Sequence, residues 1–229
     1  MIDIEIAENA GFCFGVRRAV EIAEGAAARF GRVKTLGELI HNEAVVEDLQ
    51  KKGVCAADYV EEAEGEALII RSHGVPKSVK ECAERLCRAV FDATCPFVAK
   101  IHGIVSGLSA DGALIILGDK DHPEVIGIMG NSVRRAYAVK SFGEIEELIE
   151  NGTIGAEEKA ALVVQTTFDR ERFLEIAREI REKYPRVEIN DTICSATAKR
   201  QESARELAKR AALMVVVGGR SSSNTRRLA

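Results

Sequence analysis

Three cysteines occupy the same kind of place in the chain. Cys13 in GFCFGVRRAVEIAE, Cys95 in VFDATCPFVAK and Cys194 in VEINDTICSATAKRQE each open a stretch with helical periodicity, the last two directly after a strand-like apolar run. A thiol there feels the positive end of the helix dipole and free backbone N–H groups, which favour thiolate and metal ligation. Three thiolates from separate parts of the chain could hold a zinc ion with one open position, or an iron–sulfur cluster with one iron lacking a protein ligand. No CxxC is present, so a third reading stands beside these two: each cysteine is a small buried hydrophobe at a strand end. For Cys55, Cys82 and Cys87 the packing reading is preferred; the last two fall within SVKECAERLCRAV, where five-residue spacing predicts different helix faces.

A second set of reactive side chains follows apolar runs. ALIIRSHG, from Ala67, ends in Ser72 and His73, and ALIILGDKDHPE, from Ala113, leads to His122 and Glu124. ALVVQTTFD, from Ala161, carries Gln165, Thr166 and Thr167; LMVVVGGRSSSN, from Leu213, carries Ser221 to Asn224. TLGELIHNEAVV places His41 after a shorter strand near Val33 to Leu36. Ligands of open parallel sheets bind beyond the carboxyl ends of the strands, which is where these groups are expected to converge. Glu124 also reads as a helix-opening acid and Thr166 as an N-cap. The remaining histidine, His102, lies inside the helix after Cys95 and is expected to face solvent.

The elements that must position these groups alternate as βαβα. The strand-like runs are continuously apolar, as suits parallel strands buried on both faces. Between them lie amphipathic stretches such as DRERFLEIAREIREKY, where Phe173, Ile176, Ala177 and Ile180 share a face. The predicted class is α/β, with mostly parallel sheets. The cysteine joints divide the 229 residues into a first lobe at 14–95, a second at 96–194, and a partial third made of 1–13 and 195–229. For the third, a strand near Ile2 to Ile6, a helix after Cys194 and a strand over Leu213 to Val217 are predicted.

Composition excludes several classes. With 46% hydrophobic and 30% charged residues and no tryptophan, the chain reads as globular. No apolar run reaches the roughly 20 residues of a membrane span, and the N-terminal stretch lacks the pattern of a secretory signal. The net charge of −4 is spread along helices, which argues against a nucleic-acid or membrane-surface binder. A cytoplasmic location is expected, where six cysteines are not structural disulfides.

GFCFGVRRAV, IHNEAVV, RSHGV, FDATCP, GDKDHPEVIG, QTTF, DTICSATAKRQ and SSSNTRRLA, in that order over the whole chain, resemble the LytB/IspH family of 4-hydroxy-3-methylbut-2-enyl diphosphate reductases. The resemblance implies three α/β lobes around a 4Fe-4S cluster held by Cys13, Cys95 and Cys194, with one iron open. It implies that His41, His73, His122, Thr166, Ser222, Ser223 and Asn224 bind a diphosphate substrate, that Glu124 delivers a proton, and that Thr166 relays or orients it. The reaction implied is reductive dehydroxylation to isopentenyl and dimethylallyl diphosphate, the last step of the methylerythritol phosphate route to isoprenoids. Ferredoxin or flavodoxin is the implied electron donor, and the sequence holds no flavin or nicotinamide fingerprint to replace it. The family continues past SSSNTRRLA, so the third lobe is expected to be incomplete here. The rival readings are a zinc-dependent phosphoester hydrolase using the same three cysteines, and a noncatalytic phosphometabolite-binding protein.

Overall fold

The computed structural model describes residues 4–229 apart from Ala156. Two four-stranded sheets, each wholly parallel, follow one another along the chain. The first contains β1 (Val33–Leu36), β2 (Val54–Ala57), β3 (Ala67–Ile70) and β4 (Ala89–Asp92), in the order β2-β1-β3-β4. The second contains β5 (Ala113–Leu117), β6 (Arg135–Val139), β7 (Ala160–Val164) and β8 (Val187–Ile189), in the order β6-β5-β7-β8. The same topology therefore occurs twice. β3, β5 and β7 are buried at every position, as continuous Leu, Ile and Val runs require when helices cover both faces.

The helices supply the second layer of each unit. α1 (Phe14–Phe30), rich in alanine, packs Ala19, Ala23, Ala26 and Ala27 close against Val33 and Ile69 of the first sheet. α7 (Arg170–Lys183) buries Phe173, Ile176, Ala177 and Ile180, the face its sequence period defines. Each buried isoleucine, valine or phenylalanine contributes about 1.5–3 kcal/mol and each alanine methyl group about 0.8 kcal/mol, before the entropy of ordering it is subtracted. No helix among the described residues is long and apolar enough to cross a membrane.

Cys82 lies in α3 (Lys77–Leu86), whereas Cys87 is the residue that ends it, in extended conformation. Both pack against the core around Leu68 and Ile70, so the expectation of different faces is corrected: the helix stops before the fifth residue can rotate away.

Beyond Cys194, α8 (Ser195–Ala208) forms as expected, and a short α9 (Ser223–Leu228) closes the chain. The strand expected over Leu213 to Val217 does not form. Leu213, Val215 and Val217 are 80%, 74% and 91% exposed. A strand needs a neighbouring ladder to satisfy its backbone groups, and no described segment pairs with this one. Ile4 and Ile6 are likewise exposed and outside any strand, while Ile2 and Asp3 of that expected element lie outside the described residues.

One joint fixes how the halves meet. The turn after β3, residues 73 to 76, packs against α5 (Pro123–Asn131) of the second unit. A Cβ at Gly130 would stand 2.4 Å from that of Pro76, and Asn131 Nδ2 donates to Val75 O at 2.8 Å. His102, on α4 (Pro96–Ser106), fills the remaining notch: a Cβ at Gly74 would meet its Cε1 at 2.5 Å, and one at Gly127 its Nε2 at 3.3 Å. The expectation that His102 faces solvent is thus corrected. Its Nε2 is buried without a hydrogen-bond partner, and desolvation holds the ring below the ordinary histidine pKa.

Candidate active site

The three remaining histidines leave the ends of β1, β3 and β5 and meet. Ser72 ties the first two loops together, donating to Leu39 O from both its backbone N (3.2 Å) and its Oγ (3.0 Å). The ring centroids of His41 and His73 lie 4.4 Å apart, those of His41 and His122 5.7 Å, and those of His73 and His122 5.4 Å. His41 Nε2 and His73 Nδ1 are buried and unpartnered. Burial first, then the neighbouring rings, pushes His73 well below the usual histidine pKa; burial chiefly lowers His122 to about 4.

Nitrogen atoms of these rings lie within 4.8 Å of one another, close enough to invite a metal reading. The tautomer argues for an anion instead. His122 is the N-cap of α5, and its Nδ1 accepts the backbone N–H of Glu124 at 3.1 Å. The neutral ring must then carry its proton on Nε2, and it offers a donor rather than a lone pair. Three ring donors at strand ends suit phosphate oxygens.

Beside them, Glu124 is 2% exposed and held at both oxygens by one residue of the opposite loop. Thr166 N donates to Oε1 at 2.6 Å and Thr166 Oγ1 to Oε2 at 2.7 Å. Burial lifts the carboxyl from 4.5 to about 7 against the lowering effect of those two bonds. A group poised there carries a proton in roughly half the molecules near neutrality. When Glu124 is protonated it can donate to Thr166 Oγ1, whose own hydrogen is then free to point elsewhere, so the pair can pass a proton outward. Thr166 is not an N-cap: Asp169 caps α7, accepting from Arg172 N at 2.8 Å.

Cys13, Cys95 and Cys194 are the N-caps of α1, α4 and α8. Burial raises the Cys95 thiol; the N–H groups of Phe97 and Val98 oppose that, and Cys194 and Cys13 add to it, so the three sulfurs lie within electrostatic reach of one another. Gly15 leaves the room between two of them: a Cβ there would sit 2.6 Å from Cys95 Sγ and 3.9 Å from Cys13 Sγ. Backbone bonds tie the thiols to the loops just described, from Cys95 N to Ser72 O at 2.9 Å and from Cys194 N to Thr166 O at 3.0 Å. Arginines link the helices: Arg18 of α1 donates to Thr94 O at 3.1 Å and Asp92 O at 3.2 Å, and Arg200 of α8 donates to Gly11 O at 2.9 Å. Sequence reasoning missed Gly15, Arg18 and Arg200; the small residue two places after Cys13 was the available signal.

The histidines are the only trio of His, Cys, Asp or Glu ligand atoms mutually within 4.8 Å among the described residues, so at least one pair of the three sulfurs is farther apart than that. Tetrahedral zinc would need sulfurs about 3.8 Å apart, given a Zn–S bond near 2.3 Å. The thiol set suits a larger, polynuclear group better than a single ion.

Ser222 caps α9, accepting from Thr225 N at 3.3 Å, and Asn224 Oδ1 accepts from Thr197 Oγ1 at 3.4 Å. The loop before them touches the histidine region, since a Cβ at Gly219 would lie 2.4 Å from His41 O. Ser222, Ser223 and Asn224 are each half-buried beside this contact.

Fold and site together define an α/β enzyme in which a buried acid and its hydroxyl partner stand near a cluster of three histidines and three helix-capping thiols. The family model described as LytB protein matches residues 4–229. The chain belongs to the LytB protein family. A relative from Aquifex aeolicus (strain VF5), named 4-hydroxy-3-methylbut-2-enyl diphosphate reductase, is 42% identical over 231 residues, covering 100% of this chain and 78% of that protein. One of the same name from Clostridioides difficile (strain 630) is 41% identical over 230 residues, covering 99% and 81%. Among solved structures, the E-1-hydroxy-2-methyl-but-2-enyl-4-diphosphate reductase from Plasmodium falciparum superposes with a TM-score of 0.86 at 29% identity, over 95% of this chain and 69% of that one. A structure of (E)-4-hydroxy-3-methyl-but-2-enyl diphosphate reductase, described as the terminal enzyme of the non-mevalonate pathway, has a TM-score of 0.75 at 39% identity, over 100% and 81%.

Proposed function

We propose that this protein reduces 4-hydroxy-3-methylbut-2-enyl diphosphate, replacing its hydroxyl with hydrogen to give isopentenyl and dimethylallyl diphosphate plus water, with consumption of two electrons and two protons. The observation that carries the reading is the buried Glu124–Thr166 pair set beside three clustered histidine rings. His41, His73 and His122, with Ser222, Ser223 and Asn224, hold the diphosphate and so orient the far end of the substrate towards Thr166. Hydroxide is a poor leaving group, and Glu124 protonates it through or beside Thr166. Loss of water leaves an allylic fragment that the diphosphate keeps in place, and one of its oxygens is suited to deliver the second proton.

Cys13, Cys95 and Cys194 would hold a 4Fe-4S cluster, which when bound supplies single electrons and a Lewis-acidic iron at the alcohol oxygen. The family to which the chain belongs, and three helix-capping thiols that do not all lie within 4.8 Å of one another, support this over the zinc hydrolase reading. The electrons come from a small carrier of the ferredoxin or flavodoxin class. The thiol-bearing joints are taken as the boundaries of three lobes, 14–95, 96–194, and 1–13 with 195–229. Six free cysteines suit the reducing cytoplasm.

Anaerobic purification followed by turnover with a chemically reduced carrier tests this. The expected protein is brown, contains iron and sulfide, and converts the allylic alcohol diphosphate to both products. A colourless zinc protein that hydrolyses phosphate esters, or a cluster-loaded protein that leaves the substrate untouched, would overturn it.

A further inference from the structure

A diphosphate brings several negative charges into a pocket where burial disfavours the protonated forms of His73 and His122. Hydrogen-bond donors alone leave that charge without a permanent counterpart. Arg71 stands at the end of β3, two residues before His73. Its guanidinium lies against the loop that leads from β1 to His41: a Cβ at Gly37 would be 2.4 Å from Arg71 Nη1, and Gly37 also has φ +70°, so no other residue would leave the arginine this position. Arg71 Nε is buried and has no hydrogen-bond partner. Glu38, the carboxylate whose field it feels, is turned instead to His41 Nδ1 at 3.4 Å. His73 and His122 both feel the Arg71 charge, which places the guanidinium within range of the site. Arg226 acts on His122 more strongly than Arg71 does, but its side chain is exposed, where water screens its charge and its position is not fixed by packing.

A half-buried guanidinium with an orphaned donor is costly unless an anion joins it. We propose that Arg71 supplies the fixed positive charge of the diphosphate site, acting on the same anion that His41, His73 and His122 hydrogen-bond. Resting on the proposed function, this explains how His73 and His122 can hold a polyanion while burial disfavours their charge: the rings give direction and the guanidinium gives charge.

The test measures binding of inorganic diphosphate to the cluster-loaded protein by calorimetry, at two ionic strengths, for the parent, Arg71→Met and Arg71→Lys. Arg71→Met is expected to weaken binding at least tenfold and to flatten its salt dependence, while Arg71→Lys stays within about threefold of the parent. In turnover, the same Met variant should raise KM with kcat nearly unchanged, and the visible spectrum of the cluster should not move. Undiminished binding by Arg71→Met overturns the proposal alone. Equal losses in both variants with unchanged salt dependence also overturn it, since they mark a spacer against Gly37 rather than a charge. A parent that binds no diphosphate sinks the proposed function, and Arg71 with it.

Discussion

At the scale of single residues, the chemistry rests on protons held where water would not hold them. Glu124 is raised from 4.5 to about 7 because burial penalises its charge, so the acid form that the proposed protonation uses disappears as pH rises through about 7. Turnover should fall over the same range, and Glu124→Gln should lower it by a factor of 100 or more while diphosphate still binds; retained turnover would remove Glu124 from the reaction. Stability carries the same signature. A raised carboxyl pKa contributes stability that is full below 4.5 and lost as pH climbs to about 7, a loss of about 3 kcal/mol in all. His122 acts in the opposite sense, since its depressed pKa contributes stability that is present above 6.5 and lost as pH falls towards about 4. His73 and His102, whose pKa values burial also lowers, act in the same sense as His122, so together the histidines outweigh Glu124 in the parent. Denaturation of Glu124→Gln between pH 4.5 and 6.5 should therefore show a steeper decline on acidification than the parent shows. The chemical types of these residues were legible in the sequence; the values were not, because a pKa shift is set by what surrounds the group in space.

At the scale of elements, glycines decide how closely chemistry-bearing segments approach. Alanine at Gly15 would favour α1 intrinsically by about 1 kcal/mol. Its methyl group would nevertheless stand 2.6 Å from Cys95 Sγ, so Gly15→Ala is expected to lower the iron retained per chain several-fold while circular dichroism keeps its helical signal. Full iron content in that variant would show that the thiols do not close around Gly15. Gly130→Ala probes the other joint. Its Cβ would collide with Pro76 at 2.4 Å, forcing α5 off the turn that follows His73, and overpacking of this kind costs about 1–3 kcal/mol. The expected result is a lower midpoint in urea together with a raised KM, because His73 and His122 ride on the two surfaces being separated. The period of Phe173, Ile176, Ala177 and Ile180 announced the buried face of α7 in advance. The place of His102 could not be read the same way, since the notch it fills is made by Gly74 and Gly127 from two other elements.

At the scale of the whole molecule, α1, α4 and α8 bring one thiol each to a common region, and a group bound by all three would join segments far apart in the chain. Anything that binds the folded state alone stabilises it. Reconstituting iron and sulfide anaerobically should raise the Tm by several degrees and protect α8 from proteolysis, and an unchanged Tm would show that the thiols do not act together. The sequence by itself determined the alternation of strands and helices, the buried parallel runs, and which side chains stand at strand ends and helix starts, because those follow from local periodicity and propensity. It pointed equally to a strand over Leu213 to Val217 that the fold does not contain, since pairing depends on a neighbour that local pattern does not report. Only the tertiary structure decided that three histidines from separate loops share one pocket, that Glu124 meets Thr166, and that His102 turns inward. Those facts depend on distances between residues far apart in the chain, and such distances are fixed by how two sheets and their helices pack.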